Sequence, residues 1–380
     1  MRTYLDYAAT TPVDARVFEA MQPYLSDAFG NPSALYQEGQ RARRAVRHAR
    51  EQVAALLHAE TEEIFFTSGG SESDNWALKG MAFALRRAGR GAHIVTSAIE
   101  HHAVLNAVQW LAGEGFDVTV LPVDEAGRVS PEAVKAAVRE DTILVSIMMA
   151  NNEVGTIEPI AEIGAFLREK GIFFHTDAVQ AAGHIPVDVQ ALHVDALSLS
   201  AHKFYGPKGV GALYLRRGWV PDPLVHGGAQ ERDMRAGTEN VPGLVGLGAA
   251  AALAAAKMDA EGTRLTTLRQ HLADGIAEIP DSWVNGDAVS RLPGNLNFGI
   301  EGIDHEPLLI RLDIDGFSVS AGSACSAGSL EPSHVLLAMG QTKEQAASAV
   351  RVSMGRYTTT EDVDAFLESL RNAVQAMRCQ

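Results

Sequence analysis

Short apolar runs alternate with longer segments of helical periodicity from about residue 61 to residue 215. We predict strands at residues 64–67, 93–97, 118–121, 143–149, 172–176, 196–200 and 210–215, and helices at 72–88, 101–114, 131–139 and 160–170. The runs are rich in Val, Ile, Leu and Phe without polar alternation, which is typical of strands covered on both faces. The pattern therefore predicts an α/β fold with a doubly wound, mostly parallel sheet.

The pattern changes after about residue 258. Helical stretches at 262–277 and 363–377 surround short strands at 296–300 and 349–353. A chain of 380 residues is long enough for two domains. We expect a large domain at residues 13–257 and a smaller α+β domain made of residues 1–12 and 258–380.

Composition limits the classes of partner. The formal net charge is −15, so a nucleic-acid duplex would repel the chain. We expect no segment with the apolar length of a membrane helix, and the first residues lack the apolar core of a secretion signal. Two cysteines, Cys325 and Cys379, are too few for a disulfide framework. These features favour a cytoplasmic protein without direct nucleic-acid or membrane partners.

Polar segments follow five of the predicted strands, at residues 68–71, 100–102, 151–153, 177–180 and 200–203. In open α/β sheets, ligands bind beyond the carboxyl ends of the strands. Two of these segments carry complementary groups. Lys203 offers an amine for an imine, and Asp177 offers an acid that keeps a pyridine nitrogen protonated. Pyridoxal phosphate requires both groups. A lone lysine at a strand end more often reaches out to solvent, so the prediction rests on the pair.

Other strand-end residues allow two interpretations. Gly70 and Ser71 lie in a glycine turn that could hold a phosphate, or Ser71 could cap a helix together with Asp74. His101 could stack on a planar ring and move protons, or it could cap the helix that follows. Histidines and cysteines do not recur at zinc-ligand spacing, so no metal is predicted.

Four further residues are candidates for contacts with a substrate. Asn152 and Gln180 could hydrogen-bond to a ring oxygen or a substrate carboxylate, or to loop backbone. Cys325 lies among small residues, as suits a nucleophile that must travel to a substrate, although free cysteines are more often core residues. Arg351, on a predicted strand, could clamp a carboxylate or form a structural ion pair.

Several motifs together resemble the cysteine desulfurases of the class V aminotransferase group, which have the aspartate-aminotransferase-like fold (pyridoxal-phosphate fold type I). The most specific motifs are SAHKFYGPKG at residues 200–209, RAGTEN at 235–240 and GSAC at 322–325. The similarity extends from residues 4–12 to residues 356–359, which is nearly the whole chain. Ser71 stands where many relatives have threonine, and the hydroxyl group is kept.

The resemblance implies a set of site residues and a reaction. The cofactor, pyridoxal 5'-phosphate, would be bound by Gly70, Ser71, His101, Asn152, Asp177, Gln180, Ser200, His202, Lys203 and, from the other subunit of a homodimer, Thr238. The catalytic residues would be Cys325, Lys203 and His101, and the substrate would lie at Asn152 and Arg351. The implied reaction removes sulfur from L-cysteine, giving L-alanine and a persulfide on Cys325. The persulfide would pass to an acceptor protein for iron–sulfur clusters or thiolated tRNA.

Two alternatives remain open. A selenocysteine lyase or a class V aminotransferase would keep the cofactor, but transamination needs no thiol such as Cys325. A non-enzymatic sulfur carrier would use Cys325 alone and leave Lys203, Asp177 and His101 without a purpose.

Overall fold

The computed structural model describes residues 2–321 and 332–379. The strands are β1 Thr3–Tyr4, β2 Ile64–Thr67, β3 His93–Ser97, β4 Asp117–Leu121, β5 Thr142–Ser146, β6 Phe173–Asp177, β7 Ala196–Ser200, β8 Gly211–Leu215, β9 Ser282–Asn285, β10 Asn295–Ile300, β11 Phe317–Ser318 and β12 Val350–Ser353. The helices are α1 Ala15–Met21, α2 Gln37–Leu57, α3 Gly70–Asn75, α4 Met81–Arg87, α5 His102–Gly113, α6 Pro131–Ala137, α7 Ile160–Lys170, α8 Val241–Ala277, α9 His305–Ile314, α10 His334–Ala338, α11 Lys343–Ala347 and α12 Thr360–Arg378.

The largest sheet has seven strands in the order β2-β8-β7-β6-β5-β3-β4. Strand β8 is antiparallel to both of its neighbours, and all other pairs are parallel. The six strands other than β8 therefore point the same way and end at one edge of the sheet. The predicted α/β fold with a mostly parallel seven-stranded sheet is confirmed.

Helices cover both faces of this sheet. On β6, Phe173 packs into one apolar core and the adjacent Phe174 packs into another. On β5, Leu144 packs into the same core as Phe173, and Val145 packs into the same core as Phe174. Successive side chains of a strand point to opposite faces, so apolar residues at adjacent positions fit a strand that is covered by helices on both faces.

A second group of elements has its own core. Strands β12, β10 and β9 form an antiparallel sheet, and β1 pairs with β11 in parallel. Helix α8 links the two groups, because Leu247 lies in the core of the large sheet and Leu268 lies in the second core. The expected boundary between residues 257 and 258 thus falls inside one continuous helix.

Two sequence expectations need correction. The single helix predicted at residues 72–88 consists of α3, a π-helical turn at Trp76–Gly80, and α4.

Among the described residues, α8 is long and apolar enough to cross a membrane by length and composition alone, so the expectation of no such segment is wrong for α8. Half of its most apolar window is buried in the protein. A Cβ at Gly248 would lie 2.6 Å from the Cα atom of Ala49, so small residues let α2 pack against α8 as in a protein core.

Candidate active site

One cavity of about 230 Å³ lies at the edge of the large sheet where the parallel strands end. The sequence-predicted residues that line it are Gly70, Ser71, His101, Asn152, Asp177, Gln180, Ser200, His202, Lys203 and Arg351. Thr238 is exposed and is not among its lining residues. Cys325 lies outside the described residues.

Lys203 and Asp177 approach the cavity from neighbouring strands. Lys203 ends the 3₁₀ turn after β7, and its Nζ donates hydrogen bonds to the carbonyl oxygens of Ala8 and Ala9 at 2.6 and 2.8 Å. Asp177 ends β6, and its carboxylate accepts a hydrogen bond from the backbone N–H of Val179 at 2.8 Å. Burial raises the pKa of Asp177, while this hydrogen bond and the Lys203 charge act in the opposite direction.

A second buried carboxyl group, that of Asp74, also lines the cavity. Burial and then the charge of Asp177 raise the pKa of Asp74 well above its ordinary value. Its Oδ1 lies 3.6 Å from Nε2 of His175, whose two ring nitrogens each contact a serine hydroxyl at 2.9 Å. Burial lowers the pKa of His175 to about 3, so this ring brings no positive charge. Two buried carboxylates in one site repel each other, so the raised pKa of Asp74 favours its protonated form, and the Lys203 charge favours the negative charge on Asp177.

His101 both caps a helix and lines the cavity. It is the N-cap of α5, and its Nδ1 accepts a hydrogen bond from the backbone N–H of Ala103 at 3.1 Å. Burial, followed by the nearby His102, Lys203 and His334, lowers the pKa of His101 to about 4. The imidazole is therefore neutral at pH 7, and acceptance at Nδ1 assigns its proton to Nε2. The capping interpretation of this residue is confirmed, and its stacking on a ring and its transfer of protons stay predictions.

The glycine turn after β2 leaves space that a side chain would fill. Gly69 has a φ of +155°, and a Cβ at Gly70 would lie 2.6 Å from Cγ2 of Val179. Gly69 is also the N-cap of α3, so the alternative in which Ser71 caps this helix with Asp74 is wrong. Ser71 lies in the first turn of α3 and lines the cavity.

These features fit pyridoxal phosphate. An amine and an ionised carboxylate face one cavity, and a glycine turn with a hydroxyl group offers donors for a phosphate. The cavity is many times larger than the space one water molecule needs.

Arg351 and Gln180 line the cavity while bonded to other parts of the protein. Nη2 of Arg351 lies 2.7 Å from Oδ1 of Asp6, and Nη1 donates to the carbonyl oxygen of Asn152 at 3.0 Å. Nε2 of Gln180 donates to the carbonyl oxygen of Ala8 at 3.0 Å. The structural ion pair considered for the arginine therefore exists, and the residue faces the cavity as well.

Several residues of the cavity were not assigned to the site from the sequence; His102 and Glu153 lie in the predicted polar segments 100–102 and 151–153, Asp74 was considered only for a helix cap, and His334 was not named. The rings of His102 and His334 are 4.7 Å apart, and burial lowers the pKa of both. No local signal links these two distant histidines. Asp74 could have been found, because it lies one helical turn after Gly70 and therefore on the same helix face.

Comparisons with known proteins identify the family of this chain. The family described as Aminotransferase class-V matches residues 3–366. Cysteine desulfurase IscS from Methanosarcina thermophila is 54% identical over 375 residues, which cover 99% of this chain and 92% of that protein. A solved NifS-like protein has a TM-score of 0.93 at 40% identity, covering 99% of this chain and 100% of that one. The structure of SspA in complex with cysteine has a TM-score of 0.82 at 40% identity, covering 94% of this chain and 100% of that one. The chain therefore belongs to the class-V aminotransferase family.

Proposed function

We propose that this protein is a pyridoxal-phosphate-dependent cysteine desulfurase. The observation that carries the proposal is the convergence of Lys203 and Asp177 on one cavity beside the buried guanidinium of Arg351. The relative from Methanosarcina thermophila is named a cysteine desulfurase, and SspA was solved in complex with cysteine. Both names support L-cysteine as the substrate.

In this proposal each lining residue has a role toward the coenzyme. Lys203 holds it through Nζ, Asp177 faces the ring nitrogen, and His101 stacks on the ring. Gln180 and Asn152 bind ring or substrate oxygens. The residues for the phosphate are Gly70, Ser71, Ser200 and His202.

The proposed working unit is a homodimer in which Thr238 of the partner subunit reaches the phosphate. Two facts support this role. Thr238 is exposed on its own chain, and it is not among the residues that line the cavity of its own chain. We also propose a large domain at residues 13–257 and a smaller domain, at 1–12 and 258–380, that carries Cys325.

The reaction follows from these roles. When bound, the coenzyme withdraws electrons from the α-carbon of the substrate. The Lys203 amine moves the α-proton, and the Cys325 thiolate attacks the substrate sulfur. An S–S bond forms, the Cβ–S bond of the substrate breaks, and Cβ gains a proton. L-cysteine and the Cys325 thiol thus become L-alanine and the Cys325 persulfide. His101, neutral with its proton on Nε2, transfers a proton near the sulfur.

The persulfide needs an acceptor. We propose transfer to a second protein, either a scaffold for iron–sulfur clusters or a protein of tRNA thiolation, in the cytoplasm. The IscS name of the relative supports the transfer.

The test is incubation of the holoenzyme with L-cysteine and a thiol reductant. Sulfide and alanine should appear in equal yield, and without reductant Cys325 should gain one sulfur atom by mass spectrometry. Cys325→Ala should abolish the release of sulfide and of alanine, whereas Cys379→Ala, at the other cysteine, should behave as wild type.

Full sulfide release by Cys325→Ala would refute the proposal. A keto acid without sulfide would indicate an aminotransferase, and a colourless protein would indicate a sulfur carrier. Cys325→Ala that keeps activity only toward selenocysteine would indicate a selenocysteine lyase.

A further inference from the structure

Residues 5–9 run along the edge of β12 and reach the cavity. The backbone N–H of Ser353 donates to the carbonyl oxygen of Leu5 at 2.8 Å, and the N–H of Tyr7 donates to the carbonyl oxygen of Ser353 at 3.2 Å. Asp6 lies between these contacts and pairs with Ser353 in a parallel bridge. The position of Asp6 is thus fixed by the strand that carries the arginine of the cavity.

The guanidinium of Arg351 is held at both of its Nη atoms. Oδ1 of Asp6 lies 2.7 Å from Nη2, and the carbonyl oxygen of Asn152 accepts from Nη1 at 3.0 Å. A guanidinium is a planar, rigid fork of N–H donors, so acceptors on both Nη atoms set the orientation of its plane. Arg351 is only 1% exposed, and Asp6 supplies a negative charge beside this buried cation.

We propose that Asp6 is a positioning residue that holds the guanidinium of Arg351 in the orientation that receives the carboxylate of the substrate. The inference rests on the proposed function, because it takes the substrate to be an α-amino acid bound in this cavity. Two parallel hydrogen bonds to a carboxylate require correct alignment of the guanidinium plane. The loss of alignment weakens binding in the ground state and the transition state alike, so it raises KM and leaves kcat nearly unchanged.

Two variants of Asp6 separate orientation from charge. Asp6→Asn keeps an oxygen acceptor of the same shape, and Asp6→Ala removes it. We expect Asp6→Ala to raise KM for L-cysteine and the dissociation constant of the product L-alanine about tenfold. Its kcat should stay within about twofold of wild type, and Asp6→Asn should keep both binding constants within about threefold. Binding of L-alanine is measured by calorimetry on the holoenzyme.

Asp195→Asn is the matched control. Asp195 forms a buried ion pair with Arg216 at 2.6 Å and does not line the cavity. The Asp195→Asn substitution should lower Tm and leave KM for L-cysteine and the dissociation constant of L-alanine unchanged.

Three results would overturn the inference. The first is a KM for L-cysteine and a dissociation constant for L-alanine that are unchanged or lower in Asp6→Ala. The second is an equal increase of these two constants in Asp6→Asn and Asp6→Ala. The third is a fall of Tm in Asp6→Ala with KM unchanged, as in the control. A wild-type enzyme that binds L-alanine but releases no sulfide from L-cysteine would contradict the proposed function, while L-alanine binding would still test Asp6.

Discussion

The amine of Lys203 and the carboxyl group of Asp177 lie at the ends of adjacent parallel strands, and their charges interact across one cavity. The sheet order places β6 beside β7, so two groups that are separate in sequence share one site. This arrangement is what coenzyme binding requires of the protein: an amine for attachment and an anion for the ring nitrogen.

Replacement of Lys203 should remove the attached coenzyme. We expect Lys203→Ala to lower cysteine turnover by at least about a hundredfold, because the amine that moves the α-proton is lost. Borohydride reduction of the wild type should bleach the yellow chromophore and label the peptide that contains residues 200–209. Lys208→Ala, at an exposed lysine in the same segment, should keep the chromophore. A label on any other peptide would contradict this assignment.

The two acidic residues of the cavity should respond differently to neutral substitution. Asp177→Asn removes the charge that we propose faces the ring nitrogen and should lower kcat/KM by about a hundredfold or more. Asp74→Asn should stay within about threefold of wild type, because the raised pKa of Asp74 already favours its neutral form. Steady-state kinetics and the absorbance of the bound coenzyme measure both effects. The reverse ranking of the two variants would show that the charge resides on Asp74.

Much of the fold follows from local patterns. Strands β2, β3 and β7 have the bounds predicted from the sequence, because each is a short run rich in apolar residues that is followed by a polar segment or a turn. Periodicity carries no strand direction, so it does not reveal that β8 is antiparallel. The change of pattern near residue 258 marks the point where α8 leaves one core for another, and the helix itself does not end there.

The site was predictable wherever a residue lies at the end of a strand or in the turn after it. Lys203 and Asp177 belong to this class. The ion pair of Asp6 with Arg351 and the contact of His102 with His334 join distant parts of the chain, and neither follows from local spacing.

Two substitutions of His101 should separate its capping from its chemistry. Asn is a good N-cap residue, so His101→Asn should keep a Tm near that of wild type, whereas His101→Ala should lose about 1 kcal/mol of stability. Both should lower desulfuration by about a hundredfold if the imidazole transfers protons. Thermal unfolding and sulfide release measure the two effects. Full activity in His101→Asn would restrict this residue to capping.

Glu158 should make the protein less stable as the pH rises. Its carboxyl group is buried, Oε2 accepts a hydrogen bond from the N–H of Val129 at 2.8 Å, and burial raises its pKa to about 8. The folded state therefore favours the protonated acid. The stability from this group is fully present below the ordinary carboxyl pKa of 4.5 and is lost as the pH rises toward about 8.

Glu158→Gln keeps a neutral side chain of the same shape at every pH. At pH 5 its unfolding free energy should lie within about 1 kcal/mol of wild type, and its advantage should grow up to pH 8.5, reaching at most about 5 kcal/mol in unfolding free energy. Urea unfolding of the holoenzyme at pH 5, 6.5 and 8.5 measures this trend. The exposed Glu140→Gln should show no such trend. The difference in unfolding free energy between Glu158→Gln and wild type depends on pH only if the carboxyl group is protonated in the folded state and ionised in the unfolded state. An equal difference at all three pH values would therefore mean that Glu158 is already ionised in the folded protein.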